Sequence, residues 1–423
     1  MPGSVGVELL LQPCESFTNE HLHQAILLYL SEGQYFVPAL LRTEFALLDA
    51  PEDDGGIKEL PRLEHGAVEL TCHRRLVPKE SHVPTLTELV SISCSADSGY
   101  TAEFTPVSTA SLPYFYPAIS SMKIEMPDPQ KLSLCYHPTS EIQPKHSKMF
   151  PKLLAKLAKV ARGYANGYEK QAHHDRITPK VQFQDLYREL RGREYLAPVF
   201  ETWPDNGTDP LKDIYEDLAI ATWLILLWKQ EKSTRYVDLG CGNGLLVYIL
   251  ASEGYTNGFG VEMTRRKQWD VYEKVASYRE ETVDPRNCVY PNVDWIIGNH
   301  PDELSLWVPI IAARSNMASW VVIPCCYYQL SGEKFSSSGA NGGRYEEYCR
   351  MVESVAHEVC GYSPIERDHL RIPSTKNLAI VGRRDRVVPG KSRADICDGI
   401  DLHVKGIEIL YRVPDKSKRT FKH

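Results

Sequence analysis

From Leu218 to Trp228 apolar side chains fill almost every position of "LAIATWLILLW". A helix this apolar on nearly all sides is expected to be buried against a sheet. Its start is legible a little upstream, in "TDPLKDIYED". Thr208 or Asp209 can cap the first turn, Pro210 suits the first helical position, and Glu216 and Asp217 fall early, where the helix dipole favours anions. Downstream, short apolar runs near 235–239, 258–262, 293–298 and 319–324 predict strands, and "LAIVGRRDR" adds a later one. Helices are expected between the first pair of strands and after Asn299. This alternation implies a parallel sheet with crossover helices.

The first 145 residues are patterned differently. Helical spacing in "NEHLHQAILLYL" gives way to β-like pieces, "GAVELTCHRRLV", "YTAEFTPVS" and "KLSLCYHP", separated by Pro, Ser and Gly clusters such as "APEDDGGIKELP". Residues 1–145 therefore read as an N-terminal mixed α/β or β-rich module. Residues 146–207 read as a basic helical connector. Within it Lys152, Lys156 and Lys159 recur at helical spacing beside an apolar stripe of Leu153, Leu154, Leu157 and Val160. Such a helix either tracks a phosphate backbone or is a solvated face packed on a neighbour. Residues 208–390 form the α/β domain, and 391–423 a C-terminal extension.

Composition narrows the class. The chain has 423 residues, 43% hydrophobic and 24% charged, with a net charge of −7. That argues against a generic coat for a polyanion, while leaving room for a local basic face. The eleven cysteines are scattered without a CxxC pair, so neither a disulfide framework nor a metal site is expected. Free thiols, the lack of a signal peptide and the lack of an apolar run near ~20 residues point to a cytoplasmic protein with no membrane span. The basic tail "KSKRTFKH" reads as a solvated end.

The candidate chemistry centres on "YVDLGCGNGLL". Gly240, Gly242 and Gly244 follow a strand and precede a helix, where glycine lets a ligand approach the main chain. Glu262 ends the next strand, placed to accept hydrogen bonds from ribose hydroxyls. That much suits dinucleotides and S-adenosylmethionine alike. Asp238 discriminates between them. An acid two residues before the first glycine suits a cationic ligand and repels a pyrophosphate, and Leu245 stands where a dinucleotide motif would place its third glycine. The ends of the later strands place Asn299, His300, Asp302 and Cys325-Cys326-Tyr327 at the rim of the site. Asn299 is expected to contact the adenine or the incoming substrate. The two cysteines read as small hydrophobes at a strand end.

The D-x-G-x-G-x-G stretch with Glu262 resembles the first motifs of class I methyltransferases. "TDPLKDIYEDLAIATWLILLW", the glycine stretch through "VEMTRRKQWD", "IIGNHPDELSLWVPIIAARS" with "VVIPCCYYQLSG", and "RIPSTKNLAIVGRRD" cover most of residues 208–386. Together they resemble the tRNA (uracil-2′-O)-methyltransferase family that acts on uridine 44 of serine tRNA. The resemblance implies a Rossmann-like class I methyltransferase sheet, S-adenosylmethionine as cofactor, tRNA as partner, and methyl transfer to a ribose 2′-hydroxyl. Whether a protein partner is needed stays open. Lys376, Lys212, Asp217 and His300 are candidates for the catalytic base, with Glu216 and Ser374 close by in sequence. RNA is expected over Arg265, Arg266, Lys267, Arg383, Arg384 and Arg386, with Trp269 and Tyr272 either stacking bases or packing the core. A protein or small-molecule methyltransferase, or an inactive methyltransferase fold serving as an RNA-binding scaffold, are the competing readings.

Overall fold

The computed structural model describes residues 8–13, 16–47, 68–95, 99–128, 131–169, 173–203, 209–337, 339 and 342–410. The chain divides into two compact units, Met1–Lys170 and Gln171–His423.

The first unit is a strongly alternating antiparallel sheet with helices. In chain order it comprises β1 (Glu8–Pro13), α1 (Asn19–Ser31), α2 (Gly33–Phe36), β2 (Leu40–Leu47), β3 (Val68–Pro78), β4 (Leu86–Ser95), β5 (Gly99–Pro106), β6 (Ile119–Asp128), β7 (Lys131–Pro138), α3 (Pro144–Ser147) and α4 (Met149–Ala165). The strand order is β1-β7-β6-β5-β4-β3-β2, with every neighbouring pair antiparallel. Alternate residues of the strands point into one core: Val90 and Ile92 from β4, Ala102 and Phe104 from β5, Ile124 from β6, Leu134 from β7. Helix α4 closes it. Phe150, Leu153, Leu154, Leu157, Ala158 and Ala161 recur at three- and four-residue spacing and are all buried there. Phe150 stacks on Tyr136 of β7 with centroids 4.0 Å apart. The sequence reading ended this unit at 145 and gave the helix to a connector. Its apolar stripe instead belongs to the core of the first unit. The polar stretch "APEDDGGIKELP" lies outside the described residues.

The second unit opens with α5 (Lys180–Arg191), α6 (Ala197–Glu201) and α7 (Pro210–Leu227). Asp209 caps α7 by accepting from the Leu211 amide at 3.0 Å. Then follow β8 (Tyr236–Leu239), α8 (Leu245–Ser252), β9 (Gly258–Glu262), α9 (Trp269–Tyr272), β10 (Tyr278–Glu280), β11 (Trp295–Asn299), α10 (Trp307–Arg314), β12 (Ser319–Ile323), α11 (Gly343–Ser354), β13 (Glu366–His369), β14 (Leu378–Gly382) and α12 (Arg393–Val404). The sheet order is β10-β9-β8-β11-β12-β14-β13. The pairs among β8–β12 are parallel, while β14 runs antiparallel to both its neighbours. This is the class I methyltransferase sheet, with its reversed strand inserted beside β12. Ile396, Ile400 and Val404 of α12 are buried in its core, so the unit continues past 390, where the sequence reading closed the domain. The carboxyl ends of β8, β9, β11 and β12, together with the amino end of the reversed β14, meet along one rim.

Candidate active site

Each glycine of the bend after β8 has a positive φ, 72° at Gly240, 54° at Gly242 and 84° at Gly244. They serve two purposes. A Cβ on Gly242 would meet nothing within 4 Å, so its face is open. A Cβ on Gly244 would come within 2.5 Å of the Tyr278 ring, so this position exists for packing. Glu262 ties the bend down. Its carboxylate accepts from the Gly242 amide at 3.1 Å and from the Met263 amide at 3.1 Å, and it pairs with Arg266 at 3.3 Å.

Asp238 sits at the tip of β8 and is 1% exposed. Its Oδ1 is buried without a hydrogen-bond partner. Burial pushes its carboxyl well above the usual range, and the neighbouring Asp217 carboxylate pushes the same way. Asp217, on α7, is likewise raised by burial, to about 7, against the partial opposition of a hydrogen bond from Asn299. That bond runs from Asn299 Nδ2 to Asp217 Oδ1 at 2.9 Å. Beside it, His300 Nε2 lies 3.0 Å from Glu216 Oε1, and His300 Nδ1 and Asn299 Oδ1 are both buried without partners. Thus α7 delivers Glu216 and Asp217 to the end of β11, and the four polar side chains form two pairs. His300 carries a positive φ of 51°, which turns the chain sharply after the strand.

A cavity adjoins this cluster. It runs from Gly240 past Glu262 and Met263 to Thr282, Val283 and Pro301. Two features meet here: a buried carboxyl, Asp238, whose strongest charged neighbour is another acid, and an open glycine bend beside a half-apolar cavity. Both fit S-adenosylmethionine, which carries an ammonium, a sulfonium and an adenosine. Asp238 and the bend would hold its cationic end, and Glu262 its ribose. The cavity wall after β10 was not foreseen from the sequence, because a three-residue strand leaves too short a pattern to read.

Other expected residues fall elsewhere. Lys212 is exposed near the start of α7. Ser374 Oγ accepts from the Lys376 amide at 3.1 Å and shapes the turn before β14. Lys376 donates to Tyr327 Oη. Cys325 and Cys326 are half-buried, not sealed in the core. The Cys325 thiol donates to Asp302 Oδ1 at 3.4 Å, and donor atoms of Asp302, Cys325 and Cys326 lie within 4.8 Å of one another. Burial raises both thiols, so they stay protonated and the cluster is held by its own hydrogen bonding.

The arginines of the expected basic ground are already engaged, while Lys267 is exposed. Arg265 pairs with Asp270 and Glu273, Arg266 with Glu262, Arg383 and Arg386 with Glu366, and Arg384 with Asp294. Trp269 and Tyr272 are buried, stacked on Tyr278 and Tyr248 respectively. They pack the core and present no face to a base. Among the described residues no helix is long and apolar enough to cross a membrane.

Residues 177–285 match the family described as "Predicted AdoMet-dependent methyltransferase". Residues 7–171 match "TRM44-like, N-terminal bet v1-like domain". The second unit is accordingly a class I methyltransferase domain with S-adenosylmethionine as its cofactor, preceded by a β-rich unit that matches the Bet v 1-like model. A tRNA (uracil-O(2)-)-methyltransferase of Schizosaccharomyces pombe is 30% identical, over 82% of this chain and 78% of its own length. Probable tRNA (uracil-O(2)-)-methyltransferases of Drosophila melanogaster and Homo sapiens are 46% and 37% identical, over 48% and 64% of this chain. The chain belongs to the tRNA (uracil-O(2)-)-methyltransferase family. It spans 39% and 36% of the length of those two animal relatives.

Proposed function

We propose that the chain transfers the methyl group of S-adenosylmethionine to the ribose 2′-hydroxyl of uridine 44 in a serine tRNA. The observation that carries the transfer chemistry is Asp238, a buried carboxyl with a vacant oxygen beside an open glycine bend and a second, partly buried acid. Family membership supports tRNA as the acceptor. The resemblance of "YEDLAIATWL", "GNHPDEL" and "IPSTKN" to the uridine-44 enzymes supports the position.

When bound, the cofactor supplies a methyl group made electrophilic by its sulfonium. The protein then has to align the acceptor oxygen and remove its proton. Alignment alone is worth ~7–11 kcal/mol in favourable cases, and a positioned base roughly 10²–10⁴-fold. We assign the base to His300. Glu216 holds its Nε2, which leaves the unpartnered Nδ1, buried in the free protein, to accept the hydroxyl proton once bound RNA uncovers it, as the oxygen–methyl bond forms and the carbon–sulfur bond breaks. A base oriented by a neighbouring carboxylate is a recurrent catalytic arrangement. Asn299, anchored by Asp217, keeps its unpartnered Oδ1 buried beside it. Lys212, exposed and outside these pairs, takes no part.

The test is to incubate the protein with labelled S-adenosylmethionine and total tRNA, then digest the product with alkali. A 2′-O-methyl group blocks cleavage of its own phosphodiester, so the label should appear in one alkali-resistant dinucleotide containing uridine 44. Label released as a mononucleotide would move the reaction from the ribose to a base and sink the proposal. Replacing His300 with Ala should lower turnover without weakening cofactor binding.

A further inference from the structure

The loop after β12 doubles back on itself. Phe335 donates its amide to Tyr327 O at 2.9 Å, Gln329 donates to Glu333 O at 2.8 Å, and Tyr328 and Lys334 form an antiparallel bridge. It is pinned from below, with Trp307 Nε1 on Leu330 O at 3.2 Å and Tyr348 Oη on Tyr328 O at 2.8 Å. Leu330 and Gly332 of this loop line the cofactor cavity. A fixed element therefore has one side on the cavity and carries Tyr327 on the same rim.

Around Tyr327 two cations are held by aromatic rings. Lys376 Nζ hydrogen-bonds Tyr327 Oη and lies 4.5 Å from the Tyr345 ring centre. The Arg344 guanidinium lies 4.6 Å from the Tyr327 ring centre and donates to Phe335 O at 2.6 Å. Tyr345 is itself fixed, accepting from the Leu378 amide at 3.2 Å. Among the described residues neither Lys376 nor Arg344 pairs with a carboxylate, whereas Arg265, Arg266, Arg383, Arg384 and Arg386 all do. Tyrosine faces orient a cation while leaving its charge uncompensated. That arrangement suits a ligand that brings its own negative charge.

We infer that Lys376 and Arg344 hold the RNA phosphate next to the acceptor ribose, with Tyr327 and Tyr345 positioning the two cations beside the cofactor cavity. The inference rests on the proposed tRNA methyl transfer and gives that reaction its substrate clamp. Phosphate contacts fix register without reading sequence. In this site they would set which ribose reaches the methyl group.

The experiment compares the full chain with its Arg344→Ala, Lys376→Ala and Tyr327→Phe variants, using unmodified tRNA. Three quantities are read: methyl transfer, tRNA affinity as a function of salt, and cofactor affinity by calorimetry. Arg344→Ala and Lys376→Ala should each raise the KM for tRNA about tenfold and reduce the salt slope by about 0.7, the value for one phosphate contact in single-stranded RNA. Cofactor affinity should not move. Tyr327→Phe keeps the ring under Arg344 and loses the hydroxyl that orients Lys376, so it should show a smaller rise in KM with the salt slope retained. Wild-type slope and KM in both alanine variants, with tRNA methylation intact, overturn the clamp and leave the reaction standing. If the unaltered chain neither binds nor methylates tRNA, the reaction proposal falls and the clamp falls with it.

Discussion

In the N-terminal unit Arg74 and Glu88 are 0% and 1% exposed, yet each meets its own complement. Their charges lie 3.4 Å apart, Tyr116 donates to Glu88 at 2.6 Å, and Arg74 covers the Tyr29 ring at 4.1 Å. In the methyltransferase unit Asp238 is buried as deeply, but the charged neighbour that acts on it most is another carboxylate. Burying a charge costs several kcal/mol unless an opposite charge offsets it. The first arrangement is charge-compensated within the fold, although the Arg74 nitrogens and Glu88 Oε2 lack hydrogen-bond partners among the described residues. The second is complete only when a cation arrives from outside. A buried charge thus marks a ligand site when its counter-charge is missing, and a structural site when the counter-charge is built in.

Substitutions at the two places should separate these roles. Asp238→Ala should weaken cofactor binding by roughly 100-fold or more, as expected when one partner of a buried charge pair is removed. The free protein should remain as stable as before or gain stability. Calorimetry and denaturant titration report the two halves of this expectation, and a cofactor affinity like that of the unaltered protein would end the cation argument. Glu88→Ala should do the reverse. It strands Arg74 in the core and should cost ~3–5 kcal/mol of stability, with cofactor affinity unchanged.

Acidity offers a finer probe. The Asp217 carboxyl is raised from 3.8 to about 7 in the free protein. Its contribution to stability is therefore fully present below pH ~4 and lost as pH rises through 7. Cofactor binding should run the other way, because the ionised acid attracts the cation, so affinity should climb with pH and level off above 7. Asp217→Asn should flatten both profiles. Melting curves and calorimetry at pH 5, 6, 7 and 8 decide this, and opposed slopes surviving in the Asn variant would assign them to another group. The smallest effect is expected at Arg265, whose exposed pairs with Asp270 and Glu273 already occupy it. Arg265→Ala should leave the salt dependence of tRNA binding unchanged.

Strong periodicity made much of this architecture readable in advance. The strands ending at Leu239, Glu262, Asn299 and Ile323 are apolar runs bounded by turns, and α7 announced itself by Asp209, Pro210 and its apolar body. The edge strands β10 and β13 did not, because "YRE" and "ERDH" are short and polar and bury almost nothing. Helix α4 was read correctly as amphipathic but assigned to the wrong unit, since an apolar stripe records that something covers it and not what. Asp238, the glycines and Glu262 were visible because their chemistry is local in sequence. The pairs His300–Glu216 and Asn299–Asp217 join residues more than eighty positions apart. The partners of the basic tracts were hidden for the same reason, as Arg383 and Arg386 share Glu366 only once the chain has turned back from β13 into β14.

The unequal surroundings of the glycines make alanine scanning of the bend a two-channel instrument. An alanine at Gly242 or at Gly244 would acquire backbone strain of the same kind, since both have positive φ. At Gly244 an added methyl collides with Tyr278, so instability would report on the fit between α8 and β10. At Gly242 it projects into open space, and any defect beyond the shared strain would measure how closely the bound molecule presses against the main chain.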